Sequence, residues 1–291
     1  MTTLGVIGGS GLYQMSDMQH GEWVSVDTPF GAPSDDYFVG ELDGVRVVFL
    51  PRHGRGHRIL PSELNFRANI YGMKKLGAEY LIAVSAVGSL KKEIAPGEIV
   101  IPDQFIDRTF GRTGTFFGRG VVAHVAFADP VCSVLGKLLA EVGRESGATI
   151  HHGGTYICME GPQFSTRAES FLYRSWGADI IGMTNLQEAK LAREAELCFA
   201  TLALATDYDC WNTEHGDVVI EDILAILGKN VATAQAIIRR ALPRLSTVRT
   251  CPCASALRDA IITDRSMIPA QVKQDLHVIA GRYLGEEEGK G

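Results

Sequence analysis

The chain has 291 residues, of which 46% are hydrophobic and 21% charged, and its formal net charge is -6. This composition excludes an intrinsically disordered chain, which would combine low hydrophobicity with high net charge. The acidic balance also argues against a nucleic-acid partner, because proteins that bind nucleic acid present a surplus of basic side chains. We therefore expect a globular protein whose ligands, including any phosphate, are small molecules.

The sequence indicates neither a membrane partner nor secretion. No apolar run approaches the roughly 20 residues that a membrane-spanning helix needs, and the first residues lack the regions of a signal peptide. Six cysteines are too few for a disulfide scaffold in a chain of this length, which favours a cytoplasmic location. Four of them are expected to be isolated, small buried hydrophobes: Cys132, Cys158, Cys198 and Cys210.

Short β-rich apolar runs alternate with longer segments of helical periodicity, which is the pattern of an α/β fold. The predicted strands are Leu4–Ile7, Val45–Leu50, Tyr80–Val84, Glu98–Ile101, Thr155–Cys158, Asp179–Ile181 and Cys198–Ala205. The predicted helices are Leu64–Leu76, Val131–Ser146, Arg167–Trp176, Leu186–Glu194, Ile220–Leu242 and Ala270–Tyr283. No linker or repeat interrupts residues 1–291, so we expect a single domain in which helices flank a central, twisted, mostly parallel or mixed sheet. Residues 286–291 are expected to form a solvated tail.

Small, basic, hydroxyl and acidic residues follow five of the predicted strands at the point where each strand ends. These segments are Gly8–Gly11, Pro51–Arg55, Ser85–Ser89, Gly182–Asn185 and Thr206–Asp209. Ligands of open α/β sheets bind at the carboxyl ends of the strands. The five segments are therefore predicted to line one site.

Two of these segments are suited to a phosphate group. Gly8–Gly11 offers backbone N–H groups and the Ser10 hydroxyl, although taken alone it is more simply a tight turn. It lacks the third glycine of a dinucleotide fingerprint and the lysine of a P-loop. Arg52 and His53 begin a basic cluster, in which a guanidinium can match phosphate oxygens in bidentate fashion and an imidazole can donate another hydrogen bond.

Two acidic residues, Asp207 and Asp209, follow the last predicted strand at i and i+2, a spacing that points both side chains the same way in extended backbone. No neighbouring His, Asp or Glu has metal-ligand spacing, so a metal site is disfavoured. The pair could act as acid and base, since a buried carboxyl with a raised pKa can donate a proton, or it could form a structural turn. Phe164 could likewise belong to the core or stack on a flat heterocycle.

Considered together, the motifs resemble those of S-methyl-5'-thioadenosine phosphorylases, in the trimeric branch of the purine nucleoside phosphorylase superfamily. The motifs are Ile7–Leu12, Arg52–His57, Pro96–Asp107, Glu160–Ser165 and Ala205–Trp211. They keep the family's order over roughly Gly5–Leu245. The resemblance implies a nucleoside phosphorylase-like fold. It also implies that inorganic phosphate, as co-substrate, converts 5'-methylthioadenosine into adenine and 5-methylthioribose 1-phosphate with inversion, without a metal or other cofactor.

The resemblance also implies individual roles. The positions that match the family's phosphate site are Ser10, Arg52, His53, Ser85, Ala86 and Thr184. The positions that match its nucleoside site are Met183 under the ribose, Phe164 and Ser165 at the purine, and Ile220 and Ile223 beside the 5' group. One departure is Gly182, where some members have Asn, which leaves the contacts at this position open.

In the same family pattern, Asp207 would serve N7 of the purine and Asp209 its 6-amino group. Enzymes specific for 6-oxopurines generally have Asn at the position of Asp207, so the acid favours adenine. His124 matches a residue that a neighbouring subunit contributes, which implies a homotrimer or a dimer of trimers with shared active sites.

Several alternatives stay open at this point. A purine nucleoside or methylthioinosine phosphorylase would share the phosphate site. A nucleoside hydrolase or a non-catalytic purine-binding protein would not need that site. Cys251 and Cys253 resemble a Cys-x-Cys motif that is linked to disulfide formation in some heat-stable members. The short spacing strains such a bond, so a free or redox-active pair is favoured, and zinc is disfavoured because no second thiolate pair is evident.

Overall fold

The computed structural model describes residues 2–9, 12, 18–212 and 220–285, with 220–225, 227 and 229 described by their backbone alone. Within these ranges, eleven strands form one sheet. The strands are β1 Thr3–Gly8, β2 Gln19–Val24, β3 Tyr37–Leu42, β4 Val45–Pro51, β5 Tyr80–Ser89, β6 Ile99–Ile101, β7 Gln104–Arg108, β8 Ile150–His152, β9 Thr155–Met159, β10 Ile180–Gly182 and β11 Cys198–Asp207. The α-helices are α1 Phe66–Lys75, α2 Ser133–Glu145, α3 Arg167–Ser175, α4 Asn185–Glu194, α5 Ile220–Ala241, α6 Ala270–Asp275 and α7 His277–Leu284. The predicted tail, 286–291, lies outside the described residues.

The sheet has the order β2-β3-β4-β1-β5-β10-β9-β7, and a branch adds β11, β6 and β8 beside β5. Its centre is parallel, because β1 pairs in parallel with β4 and β5, and β5 with β11. Antiparallel pairs at β2–β3, β3–β4, β5–β10 and β6–β11 make the whole sheet mixed. The predicted class, a mixed sheet flanked by helices, is confirmed.

Helices cover both faces of the parallel centre. On one face, α1, α4 and α7 pack over Ile7 and Leu81, and on the other α2 and α5 pack over Val6 and Ile82. Both faces of each central strand are therefore buried, which makes these strands continuous apolar runs in the sequence rather than alternating ones. This two-sided burial holds the carboxyl ends of β1, β4, β5 and β11 in fixed register.

All seven predicted strands are present to within a few residues, but β2, β3, β7 and β8 were not predicted. β2 is polar and exposed, and β8 has only three residues, so neither has a clear apolar pattern. The predicted end of the strand at Val84 is wrong, because β5 continues to Ser89, where it pairs with β10. The helix predicted over Ala270–Tyr283 is divided at Leu276 into α6 and α7.

No helix within the described ranges is long and apolar enough to cross a membrane.

Candidate active site

The phosphate-type segments meet at the carboxyl ends of β1 and β4 and at the middle of β5. Gly8 pairs with Pro51, and the Arg52 N–H donates to the Gly8 carbonyl at 2.9 Å. Arg52 Nη1 donates to the Val84 carbonyl at 2.9 Å, immediately before Ser85. The glycine, basic and hydroxyl segments are therefore adjacent, as the strand order requires. Ser10, the predicted phosphate-binding hydroxyl of the first segment, lies outside the described residues.

The Arg52 side chain is buried and paired with Glu188, a residue of α4 that the sequence reasoning missed. Its Nε and Nη2 donate to the two carboxylate oxygens of Glu188 at 2.6 and 2.9 Å, and Nη2 also reaches the Ile7 carbonyl at 3.4 Å. Of the five N–H groups of a guanidinium, one on Nη1 is left without a partner in the described part of the chain. The expectation of a bidentate Arg52–phosphate contact is therefore wrong in its geometry, because the planar fork binds Glu188.

Glu188 is itself fixed by a buried polar network. Asn185 Nδ2 donates to Glu188 at 3.1 Å, and Thr201 Oγ1 donates to Asn185 Oδ1 at 2.5 Å. A buried ion pair is tolerated only when its remaining hydrogen-bonding positions are satisfied in this way. The network therefore connects β4, α4 and β11 and fixes the direction of the guanidinium.

One ring nitrogen of His53 is engaged by the backbone, which leaves only the other ring nitrogen for a ligand. Its Nδ1 lies 2.8 Å from the Ile59 carbonyl, which can only accept, so Nδ1 carries the proton. Burial, together with the nearby charge of Arg52, lowers the pKa of His53 to about 4. The ring is therefore neutral near pH 7, and its Nε2 lone pair can accept a hydrogen bond from a P–OH group.

Ser85 and Ala86 lie in the middle of β5, and Thr184 follows β10. Ser85 is buried, and its Oγ donates to the carbonyl of the exposed Ala86 at 3.3 Å. Thr184 precedes α4 as its N-cap residue, but its side chain makes no capping bond. The free N–H groups and the dipole at the start of a helix favour an anion, and Thr184, a predicted phosphate residue, lies at such a helix start.

Tyr156 on β9 is a further polar group that the sequence reasoning missed. Its hydroxyl is fully buried and has no hydrogen-bond partner among the described residues, although Ser85 is close enough to lower its pKa in part. Burial outweighs this effect and raises the pKa, so the hydroxyl stays a neutral donor. A side chain at residue 182 would collide with this hydroxyl, so glycine is the residue that fits beside Tyr156. In the sequence, a Tyr within an apolar strand was the only available signal.

Asp207 and Asp209 lie together at the end of β11, beyond a register shift between Ala205 and Asp207. Asp207 Oδ1 accepts from the Asp209 N–H, and Asp207 Oδ2 accepts from Thr206 Oγ1, both at 2.8 Å. The backbone of Gly88 faces both acids, and a Cβ there would lie 3.0 Å from Asp207 Oδ1. Burial, reinforced by the charge of Asp209, raises the pKa of Asp207, which favours its protonated form.

Two buried serines orient the Asp209 carboxylate. Ser165 Oγ donates to its two oxygens at 2.8 and 2.9 Å, and Ser170 Oγ donates to Oδ2 at 2.5 Å. Ser165 therefore orients the Asp209 carboxylate, and its contact with the purine stays a prediction. Ser170, on α3, was not predicted, because a lone helical serine gives no sequence signal.

Phe164 and Met183 lie on neighbouring segments that Arg112 connects. Arg112 donates to the carbonyl oxygens of Met183 and Glu160, both at 2.5 Å, and its Nε reaches the Glu160 carboxylate at 3.1 Å. Met183 also packs against the turn before Phe164, whose ring is 47% exposed. The predicted purine and ribose residues are therefore adjacent, and Phe164 is not a core residue.

The remaining predicted residues are not joined to this group in the described chain. His124 is exposed on a loop, where its N–H donates to the Ala260 carbonyl at 2.8 Å. No hydrogen bond within the described ranges links its side chain to the phosphate or purine residues. Ile220 and Ile223 begin α5, but their side chains lie outside the described part of the structure.

The cysteines depart from the sequence prediction. The Sγ atoms of Cys132, Cys198, Cys251 and Cys253 lie within 4.8 Å of one another. The expectation that Cys132 and Cys198 are isolated, and that no second thiolate pair accompanies Cys251 and Cys253, is therefore wrong. Cys158 is buried as expected, whereas Cys210 is only half-buried, and its Sγ donates to the Ser165 carbonyl at 3.3 Å.

A half-buried acid and a buried acid, Asp207 and Asp209, lie beside groups suited to an anion at the strand ends of a mixed α/β sheet, which is the arrangement of a nucleoside phosphorylase. A family model described as the phosphorylase superfamily matches residues 3–243, and the chain belongs to that superfamily. It is 64% identical to the S-methyl-5'-thioadenosine phosphorylase of Geobacter sulfurreducens, over 97% of this chain and 99% of that protein. It is 58% identical to the protein of the same name from Koribacter versatilis, over 98% of each chain. At these identities, its family within the superfamily is that of the S-methyl-5'-thioadenosine phosphorylases.

Solved structures agree with this assignment. A methylthioadenosine phosphorylase from an antarctic soil metagenomic library has 47% identity and a TM-score of 0.91, over 96% of this chain and 98% of that one. A methylthioadenosine phosphorylase from Schistosoma mansoni in complex with tubercidin has 36% identity and a TM-score of 0.78, over 84% of this chain and 92% of that one.

Proposed function

We propose that this protein catalyses the reversible phosphorolysis of 5'-methylthioadenosine. A phosphate oxygen forms a bond to the anomeric carbon while the bond from that carbon to N9 breaks, and its electron pair leaves with adenine. One observation carries the proposal: β5 connects the two halves of the site, since the Val84 carbonyl fixes Arg52 and Gly88 lies against Asp207. The names of the relatives at 64% and 58% identity support the same substrate.

The phosphate half positions a weak nucleophile. Arg52 supplies a fixed positive charge, partly compensated by Glu188, so neutral donors and the first turn of α4 are expected to share in binding the anion. His53 Nε2 accepts from the P–OH group and thereby orients the attacking oxygen. Positioning of this kind lowers the entropic barrier, and the bound anion stabilises the oxocarbenium character that develops on the sugar.

The purine half makes adenine a better leaving group. A protonated Asp207 donates to N7 as the glycosidic bond breaks, and the proton stays with the departing base. The Asp209 carboxylate, fixed by Ser165 and Ser170, accepts from the 6-amino group. A 6-oxopurine would present an acceptor to this carboxylate, so the site favours adenine over hypoxanthine.

The proposed reaction needs no metal and no organic cofactor. Phosphate is its own nucleophile, Arg52 and α4 supply positive potential, and Asp207 supplies the proton, so each chemical requirement has a group in the chain.

The proposed assembly is a trimer or a dimer of trimers with shared sites. Two exposed apolar regions support it: an α3 region, defined as Phe164, Phe171, Leu172 and Trp176, and a loop region, defined as Val122, His124 and Ile262. Exposed apolar patches mark interfaces, and two different patches that fit each other close a cyclic trimer through heterologous contacts. Such a contact would place His124 of one subunit beside Phe164 of the next.

The test is a product assay on the full chain with methylthioadenosine, adenosine, methylthioinosine and inosine, each with and without phosphate. We expect adenine and a pentose 1-phosphate only when phosphate is present, with methylthioadenosine preferred. Base release without phosphate would identify a nucleoside hydrolase, and binding without turnover would identify a purine-binding protein. A chelator added as the assay starts should leave the initial rate unchanged. A loss restored by a divalent metal would contradict the metal-free reaction.

A further inference from the structure

A cluster of four cysteines, Cys132, Cys198, Cys251 and Cys253, lies outside the proposed active site. Three of its members are buried and Cys251 is half-buried, and all four are free thiols. Cys132 is the N-cap residue of α2, Cys198 begins β11, and the other two flank Pro252 in the C-terminal segment. Three segments that are far apart in the sequence therefore bring their sulfurs to one point.

The sulfur positions match one tetrahedral metal ion. All four Sγ atoms lie within 4.8 Å of one another, and the Cys198 and Cys251 atoms are 3.2 Å apart. Four thiolates around a zinc ion, with Zn–S bonds of about 2.3 Å, are about 3.8 Å apart. Small side-chain rotations therefore suffice to bring all four sulfurs to one ion.

The chemistry of the donors selects the ion. A set of four thiolates in tetrahedral geometry suits Zn²⁺, whereas carboxylate and carbonyl donors would suit Mg²⁺ or Ca²⁺. Disulfide bonds would use the sulfurs two at a time, and the Cys251–Cys253 pair could join only through a strained ring. Because all four Sγ atoms lie within 4.8 Å of one another, one central ion can use the whole set, whereas disulfides would divide it into two separate pairs.

We propose that Cys132, Cys198, Cys251 and Cys253 bind one Zn²⁺ ion as a structural tetrathiolate site. Four protein ligands leave no open coordination position, which distinguishes a structural zinc from a catalytic one. Cys198 begins β11 and Asp207 ends it, so the cluster and the purine half lie about 30 Å apart at roughly 3.3 Å per residue. The site is therefore independent of the proposed reaction.

An entry path leads to the cluster. A cavity of about 620 Å³ is lined by Cys132, Cys251 and Cys253 and by polar groups that include Asp103 and His152. A hydrated ion can reach the thiols through it and exchange its waters there.

The proposed ion would attach the C-terminal segment to the core. Between Ser246 and Leu284, this segment contributes buried residues such as Leu257 and Ile279 to the core, and the Glu196 carboxylate accepts from Tyr283 and the Leu257 N–H. A site that forms only in the folded chain adds its binding free energy to folding. Because the thiols must release protons to bind the ion, zinc affinity falls as the pH is lowered.

The experiment uses the full chain, purified under reducing conditions, stripped with a chelator and then titrated with ZnCl₂. We expect one zinc per chain by elemental analysis, a Tm raised by several degrees, and, with Co²⁺ in place of zinc, the visible absorption of tetrahedral thiolate coordination. Cys251→Ser and Cys253→Ser should each lose most of the bound zinc and the rise in Tm. Cys210→Ser, which removes a cysteine outside the cluster, should retain both.

Three results would overturn the proposal. Binding of much less than one zinc per reduced parent chain would contradict the proposal. This measurement uses the parent chain alone, so it does not depend on the folding of any variant. Equal zinc uptake by the parent and by the Cys251→Ser/Cys253→Ser double variant would show adventitious binding. Mapping of disulfides among the four cysteines in freshly alkylated native protein that lacks zinc would replace the ion with covalent pairs.

Discussion

At the scale of single residues, Arg52 has two proposed roles. It supplies positive charge to the phosphate half, and it pairs with the buried Glu188 carboxylate. Arg52→Ala should raise the KM for phosphate more than tenfold, because a fixed charge is lost. It should also lower the free energy of unfolding by about 3–5 kcal/mol, because the buried Glu188 loses its partner. Denaturant titration and phosphate kinetics measure the two effects.

The matched control is Arg55→Ala, which removes an arginine paired with Asp35 on the same segment, where the Arg55 side chain is 46% exposed. Asp35 keeps the Arg55 backbone N–H and the nearby Arg58 guanidinium as partners, so this variant should leave the phosphate KM close to that of the parent. An unaltered phosphate KM in Arg52→Ala would remove Arg52 from the phosphate site.

Tyr156→Phe tests whether the unpaired hydroxyl faces the bound phosphate. We expect the phosphate KM to rise about tenfold, the equivalent of one lost hydrogen bond of ~1.4 kcal/mol. The free energy of unfolding without phosphate should not fall, since the hydroxyl has no partner in the described chain. Tyr37→Phe is the control, because its buried hydroxyl donates to the Asn69 carbonyl at 2.9 Å, so it should lose stability but keep the KM. Identical phosphate kinetics in Tyr156→Phe and the parent would count against this role.

Asp207→Asn tests whether Asp207 distinguishes a 6-aminopurine from a 6-oxopurine. The amide suits a 6-oxopurine, so the ratio of kcat/KM for methylthioadenosine to that for methylthioinosine should fall by at least tenfold. In the parent, the protonated acid is the active form, so kcat/KM should decline as the pH rises through the raised pKa of Asp207. The variant should lack that decline. A ratio equal to that of the parent would show that Asp207 does not contact the base.

At the scale of elements, α4 connects the phosphate half to a buried acid at its last residue, Glu194. Glu194 accepts from Thr115 Oγ1 and the Phe116 N–H, both at 2.7 Å. Burial nevertheless raises the pKa of Glu194 from 4.5 to about 7. The folded state therefore binds this proton more tightly than the unfolded state. The stability that it contributes is complete below pH 4.5 and is lost as the pH rises to about 7.

The expected size of this loss is roughly 3 kcal/mol, at 1.36 kcal/mol for each unit of pKa. Glu194→Gln keeps a neutral side chain at every pH and should abolish the loss. Urea titrations between pH 4.5 and 8 measure the difference in unfolding free energy between the parent and the variant. Contributions that both proteins share, such as the opposite one of His53, cancel in this difference. Parallel stability curves over this range would contradict the assignment.

At the scale of the whole molecule, the proposed assembly depends on the α3 region. Phe171→Glu places a charge in an exposed apolar surface and should convert the oligomer to a monomer with little activity on methylthioadenosine. Lys137→Glu reverses an exposed charge on α2, outside both apolar regions, and should preserve oligomer and activity. Light scattering at the assay concentration reports the state. A fully active monomer would show that subunits do not share active sites and that His124 is an ordinary surface residue.

Local pattern alone predicted the central architecture. The run Cys198–Ala205 is apolar throughout because both faces of β11 are covered, and the period of the helices follows from one buried side. The groups that end β1, β4, β10 and β11 could be named from the sequence because a strand's carboxyl end is a property of the chain itself, whereas β5 continues to Ser89, beyond its predicted end at Val84. The family motifs then assigned chemistry to those ends.

Only the tertiary structure decided which of these groups lie together and which partner each side chain has. Arg52 pairs with Glu188, which lies 136 positions later in the sequence, so no pattern of neighbouring residues could predict the pair. Tyr156 fills the space left by Gly182 because β9 and β10 are neighbours. Cys132 and Cys198 join the Cys251 pair because α2, β11 and the C-terminal segment pack together. A sequence pattern records whether a residue is buried, whereas its partner depends on the order of strands in the sheet, which is set by packing of the whole chain.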